Sequence, residues 1–107
     1  MFQFIELQPF AAVRDHYLAD DELFSLQTYL ATNPEAGDVI PGSGGCRKIR
    51  WAMRGRGKRG GIRVIYFLRL DHGQIVLVTV YAKNVRENID PGILKQIKES
   101  FKYGQTV

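Results

Sequence analysis

Arg63 stands inside an apolar run, Ile62 to Leu70, on the face that alternation assigns to Ile65 and Phe67. A charge in that setting needs a partner or a solvent-filled groove. It is therefore either half of an ion pair with a helix carboxylate or a clamp for a phosphate. Nine of the chain's fifteen Lys and Arg residues lie between Arg47 and Arg69, with no Asp or Glu among them. They are Arg47, Lys48, Arg50, Arg54, Arg56, Lys58, Arg59, Arg63 and Arg69. A merely solvated surface mixes signs, because like charges packed together repel. Cations concentrated on strand-like runs suit a polyanion, and the commonest large polyanion in a cell is nucleic acid.

Other candidates are weaker. Gly55-Arg56-Gly57-Lys58-Arg59-Gly60 spells GxGxxG, but a strand follows it where a dinucleotide site requires a helix. It also fails as a Walker A loop, since Ala52 replaces the first Gly and Arg59 the Ser or Thr. An ordinary hairpin loop and a basic loop that closely approaches phosphates are the remaining readings, and its three cations favour the second. His16, His72 and Cys46 lack metal-ligand spacing, and no nucleophile set is formed. Cys46 reads as a small, semi-buried residue. Tyr81 and Lys83 end the last strand on one face, just before Asn84. Taken alone, each of these residues is better explained by a structural role.

The elements that must position them follow from hydrophobic spacing. Phe2 to Leu7 reads as a strand, with Phe2 and Phe4 on one side and Ile5 and Leu7 on the other. Pro9 opens a helix with Phe10, Val13 and Tyr17 on one face. Asp20 is the expected N-cap of a second helix carrying Leu23, Leu26 and Leu30, which Asn33-Pro34 stops. The pair reads as an αα-hairpin. Residues 33–46 read as irregular. Three strands follow. The first sets Ile49, Trp51 and Met53 against Lys48, Arg50 and Arg54, and Asp71-His72-Gly73 joins the other two, Ile62 to Leu70 and Gln74 to Ala82. Asp90 as N-cap, Pro91 at the first position and Gly104 as stop bound a last helix with Leu94, Ile97 and Phe101 inward. The whole chain, 1–107, is expected to be one α+β domain: strand, two helices, three strands, helix, with a twisted, mainly antiparallel sheet and helices packed on it.

The net charge of +4 conceals a division. Residues 1–38 carry seven acidic side chains against one basic, a net −6, and residues 39–107 carry fourteen basic against four acidic, a net +10. The helical end and the sheet end should meet different partners. A single cysteine forbids an internal disulfide and suits a reducing compartment. No apolar stretch is long enough to span a bilayer and the N-terminus lacks a signal peptide's basic start, so a cytoplasmic protein without a membrane role is expected.

Three stretches together carry a resemblance: Gly42 to Arg50, Gly55 to Phe67, and Tyr81-Ala82-Lys83-Asn84, preceded by Asn33 to Ile40. In order and composition they resemble the HigB-type toxins of the RelE/ParE superfamily, over nearly the whole chain. The resemblance implies a RelE-like fold and a type II toxin–antitoxin module, whose toxin cleaves mRNA in the ribosomal A site without metal or cofactor. It implies a cognate helix-turn-helix antitoxin, through which alone operator DNA is met, and the ribosome with its mRNA as partners. ParE relatives share the fold but inhibit DNA gyrase, so that activity stays open, as does a non-catalytic RNA-binding module.

Residue by residue, the resemblance implies that Arg63 grips the scissile phosphate with paired donors. Lys83 would stabilise charge or transfer a proton, and Tyr81 would stack on or orient a base. Lys58 and Arg59 would hold flanking phosphates, while Lys48, Arg50, Arg54 and Arg56 contact messenger or ribosomal RNA. No histidine or carboxylate stands in the usual acid–base positions.

Overall fold

The computed structural model describes residues 2–52, 61–83 and 89–102. In chain order the elements are β1 (Gln3–Glu6), α1 (Gln8–Tyr17), α2 (Asp20–Thr32), β2 (Asp38–Val39), β3 (Arg47–Trp51), β4 (Ile62–Arg69), β5 (Gln74–Ala82) and α3 (Pro91–Lys102). A 3-10 turn at Leu70–His72 joins β4 to β5 and closes on Gly73, whose positive φ of 65° suits glycine. The sheet runs β1-β5-β4-β3-β2. Among the described residues, β1–β5 is the one parallel pairing. The α+β class and the antiparallel-rich sheet agree with expectation. The stretch read as irregular differs, because Asp38–Val39 adds a fifth strand at the edge beside β3.

Local chemistry accounts for the helices. Pro9 lies in the first turn of α1, where a missing N–H costs nothing. Asp20 is not the N-cap expected of it. Ala19 holds that position and its backbone N–H donates to Glu22 Oε1 at 2.9 Å, while Asp20 accepts from Arg14 Nη1 at 2.8 Å. Asp20 therefore ties α2 to α1 rather than capping α2. At α3 the expected cap is present: Gly92 N–H donates to Asp90 Oδ1 at 2.8 Å. Gly104, Met53 and Asn84 lie outside the described residues.

The sheet separates two cores. On one face, Phe10 of α1 and Leu23, Leu26 and Leu30 of α2 pack on Ile49, Val64, Tyr66 and Leu77. Burying Phe10 completely contributes on the order of 2 kcal/mol. On the other face, Leu94, Ile97 and Phe101 of α3 cover Cys46, Ile65, Phe67, Val76 and Val78. Arg63 lies on this second face, with Ile65 and Phe67, as alternation along β4 requires. One irregularity matters for the site. Ile65 faces Thr79 but Tyr66 faces Leu77, so Val78 is an extra residue in β5.

Candidate functional site

Three residues form one row across the sheet. Arg50 of β3 is the direct cross-strand partner of Arg63 of β4, and Arg63 is the direct partner of Tyr81 of β5. Partners in a ladder project to the same side, so both guanidinium groups and the phenol start from one face. Tyr81 reaches that face because of the Val78 bulge. Lys83 follows β5 by one residue and is exposed, at the same end of the sheet as Arg63. Two like charges placed directly opposite each other are costly unless an anion meets them. The row thus brings together Arg50, Arg63 and Tyr81, with Lys83 at its border. Arg54, Arg56, Lys58 and Arg59 lie outside the described residues.

Beside this row is a cleft of about 440 Å³. Its lining comes from the loop after β2 (Ile40, Pro41), from the sheet (Lys48, Ile65, Tyr81) and from the start of α3 (Pro91). Lys48 belongs to the next row, opposite Ile65, and is exposed. Tyr81 is therefore shared by the cationic row and the cleft, and only 6% of its surface is exposed. Among the described residues, the walls are mainly apolar, with Lys48 as the cation at one edge. That composition suits a flat, partly polar group held by its faces and read along its rim.

The cleft's loop is fixed by groups whose roles the sequence did not disclose. Buried Tyr66 donates its hydroxyl to Pro34 O at 2.8 Å and accepts from Gly37 N–H at 2.9 Å. Its burial pushes the phenol's pKa up, against the lowering effect of the Gly37 bond and of nearby Arg47. Arg47 donates to the carbonyls of Gly37 at 2.8 Å and Glu35 at 3.2 Å. Ser43 Oγ donates to Ile40 O at 2.6 Å and accepts from Cys46 N–H at 3.0 Å. Lys98 of α3 donates to Gly44 O at 2.7 Å, tying the helix to the same loop. The cleft is preformed.

Two of the nine clustered cations consequently serve the fold rather than a polyanion. Arg47 holds loop carbonyls. Arg69 donates to Gln74 Oε1 at 3.1 Å and lies 5.0 Å above the Phe101 ring. A larger cavity of about 560 Å³ lies near Arg69, His72 and Lys98. It sits at the far end of β4 from Arg63, six residues or about 20 Å away. The smaller cleft adjoins the Arg50–Arg63–Tyr81 row, and this larger one does not.

The remaining candidates have structural settings. His16 packs edge-on against Tyr17, and His72 pairs with Asp71 at 3.1 Å. Cys46 is fully buried rather than semi-buried, and burial pushes its thiol pKa up. Among the described residues, no group of three or more His, Cys, Asp or Glu could hold a metal ion. No helix among them is long and apolar enough to cross a membrane.

Comparison with known protein families gives a match over most of the chain. The model described as the RelE toxin of the RelE / RelB toxin-antitoxin system matches residues 8–106 of this chain. The matched span includes the cationic row, the cleft and α3.

Proposed function

This chain belongs to the RelE toxin family, and on that premise we propose that it is a HigB-type, ribosome-dependent mRNA endonuclease. The observation that carries the proposal is the row Arg50–Arg63–Tyr81, with Lys83 at its border, on one rigid sheet face. Strand-borne cations are held more exactly than loop-borne ones, and transition-state charge is best met by donors that need not reorganise.

The reaction needs no external nucleophile. The ribose 2′-OH gives its proton to solvent as it attacks its own 3′-phosphodiester; the bond to the next nucleotide's 5′-oxygen breaks, leaving a 2′,3′-cyclic phosphate and a 5′-oxygen that takes up a proton. Charge builds on the non-bridging oxygens as the phosphorane forms. Arg63 meets that charge with a planar pair of donors and Arg50 supports it from the neighbouring strand. Lys83 in its ammonium form neutralises or protonates the departing 5′-oxygen. The Tyr81 ring orients the adjoining nucleotide. In this reading Lys58 and Arg59 hold flanking phosphates, and Arg54 and Arg56 contact messenger or ribosomal RNA. The partners of this reading are the ribosome with its mRNA in the cytoplasm, and a cognate helix-turn-helix antitoxin that silences the toxin and alone meets operator DNA.

The experiment is a brief pulse of expression followed by mapping of message ends, with plasmid supercoiling scored in parallel. Fresh 5′ ends within translated codons, dependent on ribosomes, are expected while supercoiling stays intact. Lost supercoiling with intact messages would instead identify a gyrase poison. Steeply salt-dependent RNA binding without cleavage on programmed ribosomes would identify a binding module.

A further inference from the structure

We propose that the cavity at the β4–β5 turn is a binding site for a small organic anion, a carboxylate carrying an aliphatic or aromatic body. It lies about 20 Å from Arg63 and does not rest on the nuclease reading. Its volume of about 560 Å³ falls in the range of small-ligand pockets. Two parts of the chain build it. The end of β4 and the 3-10 turn supply Leu68, Arg69, Leu70, Asp71 and His72, and α3 supplies Lys98. Arg69 shares its face of β4 with Phe67, so its side chain leaves the sheet on the side that α3 covers. The Phe67 and Phe101 rings meet edge to face at 5.8 Å, and each carries one of the cations. Lys98 Nζ lies 5.8 Å from the centre of the Phe67 ring, and Arg69 Cζ lies 5.0 Å from that of Phe101.

These charges are held in place without being used up. Arg69 Nη1 donates to Gln74 Oε1 at 3.1 Å and Nη2 to His72 Nε2 at 3.3 Å. The second bond leaves the imidazole proton on Nδ1, where it meets Asp71 Oδ1 at 3.1 Å. The lining carboxylate is thus engaged by the histidine. A guanidinium has more N–H donors than these bonds use, and so has the Lys98 ammonium, which donates to Gly44 O at 2.7 Å. Cations fixed in this way lose less freedom when a ligand arrives. The apolar lining decides what kind of anion fits. Leu70 is 55% exposed and Leu68 is half-buried. Such walls strip water from a bare phosphate, whereas they gain by covering hydrocarbon. A neutral ligand fits no better, because covering Arg69 and Lys98 without a counter-charge is costly. A carboxylate with a body meets both demands: its oxygens match the guanidinium fork, and its tail covers the leucines.

The test titrates the isotope-labelled full chain with octanoate and hydrocinnamate, and with octanamide and inorganic phosphate as controls. Amide shifts of Leu70, His72 and Lys98 should move saturably with both carboxylates, with half-saturation near about 1 mM. Octanamide and phosphate should each bind roughly tenfold more weakly or worse. Leu70→Ser changes an exposed side chain and leaves the core intact. It should weaken octanoate roughly fivefold and leave phosphate unchanged. Arg69→Gln should weaken both carboxylates roughly tenfold. Octanamide binding as tightly as octanoate would show a merely apolar hollow, and phosphate binding as tightly would show a bare anion contact such as RNA backbone. Either result overturns the proposal. So would octanoate binding that Leu70→Ser leaves unchanged, or shifts centred on Arg63 and Tyr81 instead. The absence of a saturable shift with either carboxylate overturns it outright, and weaker antitoxin binding by Leu70→Ser would then mark the face as a protein contact. None of these outcomes bears on message cleavage, so this site and the nuclease reading fail separately.

Discussion

Arg63 and Tyr81 face each other directly across β4 and β5, and one extra residue, Val78, is what puts them on the same side of the sheet. Along β5, Val76 and Val78 point towards α3 while Ile75 and Leu77 point towards α1 and α2. Strict alternation would send Tyr81 with Ile75 and Leu77, away from Arg63. After the bulge the parity reverses: Val80 joins the α1–α2 core and Tyr81 the α3 core. Bulges bend a strand and re-aim its side chains, here at the end of the sheet that bears Arg50 and Arg63.

Removing the central cation should separate catalysis from folding. Arg63→Ala should lower single-turnover cleavage on programmed ribosomes by roughly 100-fold or more, and should abolish growth inhibition. Arg63 is half-buried at a strand end, so thermal unfolding and antitoxin binding should persist. Arg63→Lys keeps the charge but loses the planar fork, and should recover only part of the rate. Growth inhibition equal to the parent's in Arg63→Ala would remove this residue from the site.

Much of the scaffold was legible because it depends on local periodicity. Leu23, Leu26 and Leu30 are buried at their 3-4 spacing, and Asp90 caps α3 as its position before Pro91 implies. Long-range relationships were not. The parallel pairing of β1 with β5 joins residues some seventy positions apart, for example Gln3 with Gln74, and no local pattern encodes it. β2 is two residues long and both are exposed, so it has no alternation to read. Charge type also hid charge use: Arg47 and Arg50 look alike in the chain, yet Arg47 is committed to the carbonyls of Glu35 and Gly37. The pairing of Tyr81 with Arg63 depends on a bulge that alternation does not announce.

Among the described residues, Gly61 should be the least replaceable glycine near the site. Its φ is +50°, and a Cβ there would stand 2.4 Å from the Trp51 carbonyl oxygen and 3.1 Å from Ala52 Cα. Backbone cannot retreat as a side-chain tip can. Gly61→Ala should therefore reduce stability by more than about 1 kcal/mol and disturb the Trp51–Ile62 pairing that sets Arg50 opposite Arg63. Gly92 is the control. It lies in α3 at negative φ, where an added Cβ would stand 3.3 Å from Asp90 Oδ1. Gly92→Ala should be neutral or slightly stabilising. Urea midpoints of the two variants should move in opposite directions or, at minimum, differ clearly; equal midpoints would refute the steric account.

Tyr66 should matter through its hydroxyl alone. Tyr66→Phe keeps the ring in the core but leaves Pro34 O and Gly37 N–H without their buried partner. The expected loss is about 1–3 kcal/mol, read as a lower urea midpoint with an unchanged slope. The loop leading to Ile40 and Pro41 should loosen with it. A midpoint matching the parent's would mean that water replaces both bonds without cost.

Cys46 gives the fold a dependence on alkaline pH. Burial raises the thiol pKa above its ordinary 9.0, outweighing the lowering by Lys98 and by the Ser43 hydrogen bond. The folded state thus holds its proton to higher pH than the unfolded chain does. The associated stability is fully present below about pH 9, and is lost as pH rises from the ordinary value through the raised one. Tyr66 is raised from 10.0 by burial as well, so its loss begins later on the same side. Cys46→Ala removes the first of these two transitions. At neutral pH the variant should be somewhat less stable, because a fully buried side chain has been shortened. Above pH 9 its deficit relative to the parent should narrow. Urea midpoints of both proteins between pH 7 and 10.5 measure this directly, and parallel curves across that range would show that the thiol's ionisation is not linked to folding.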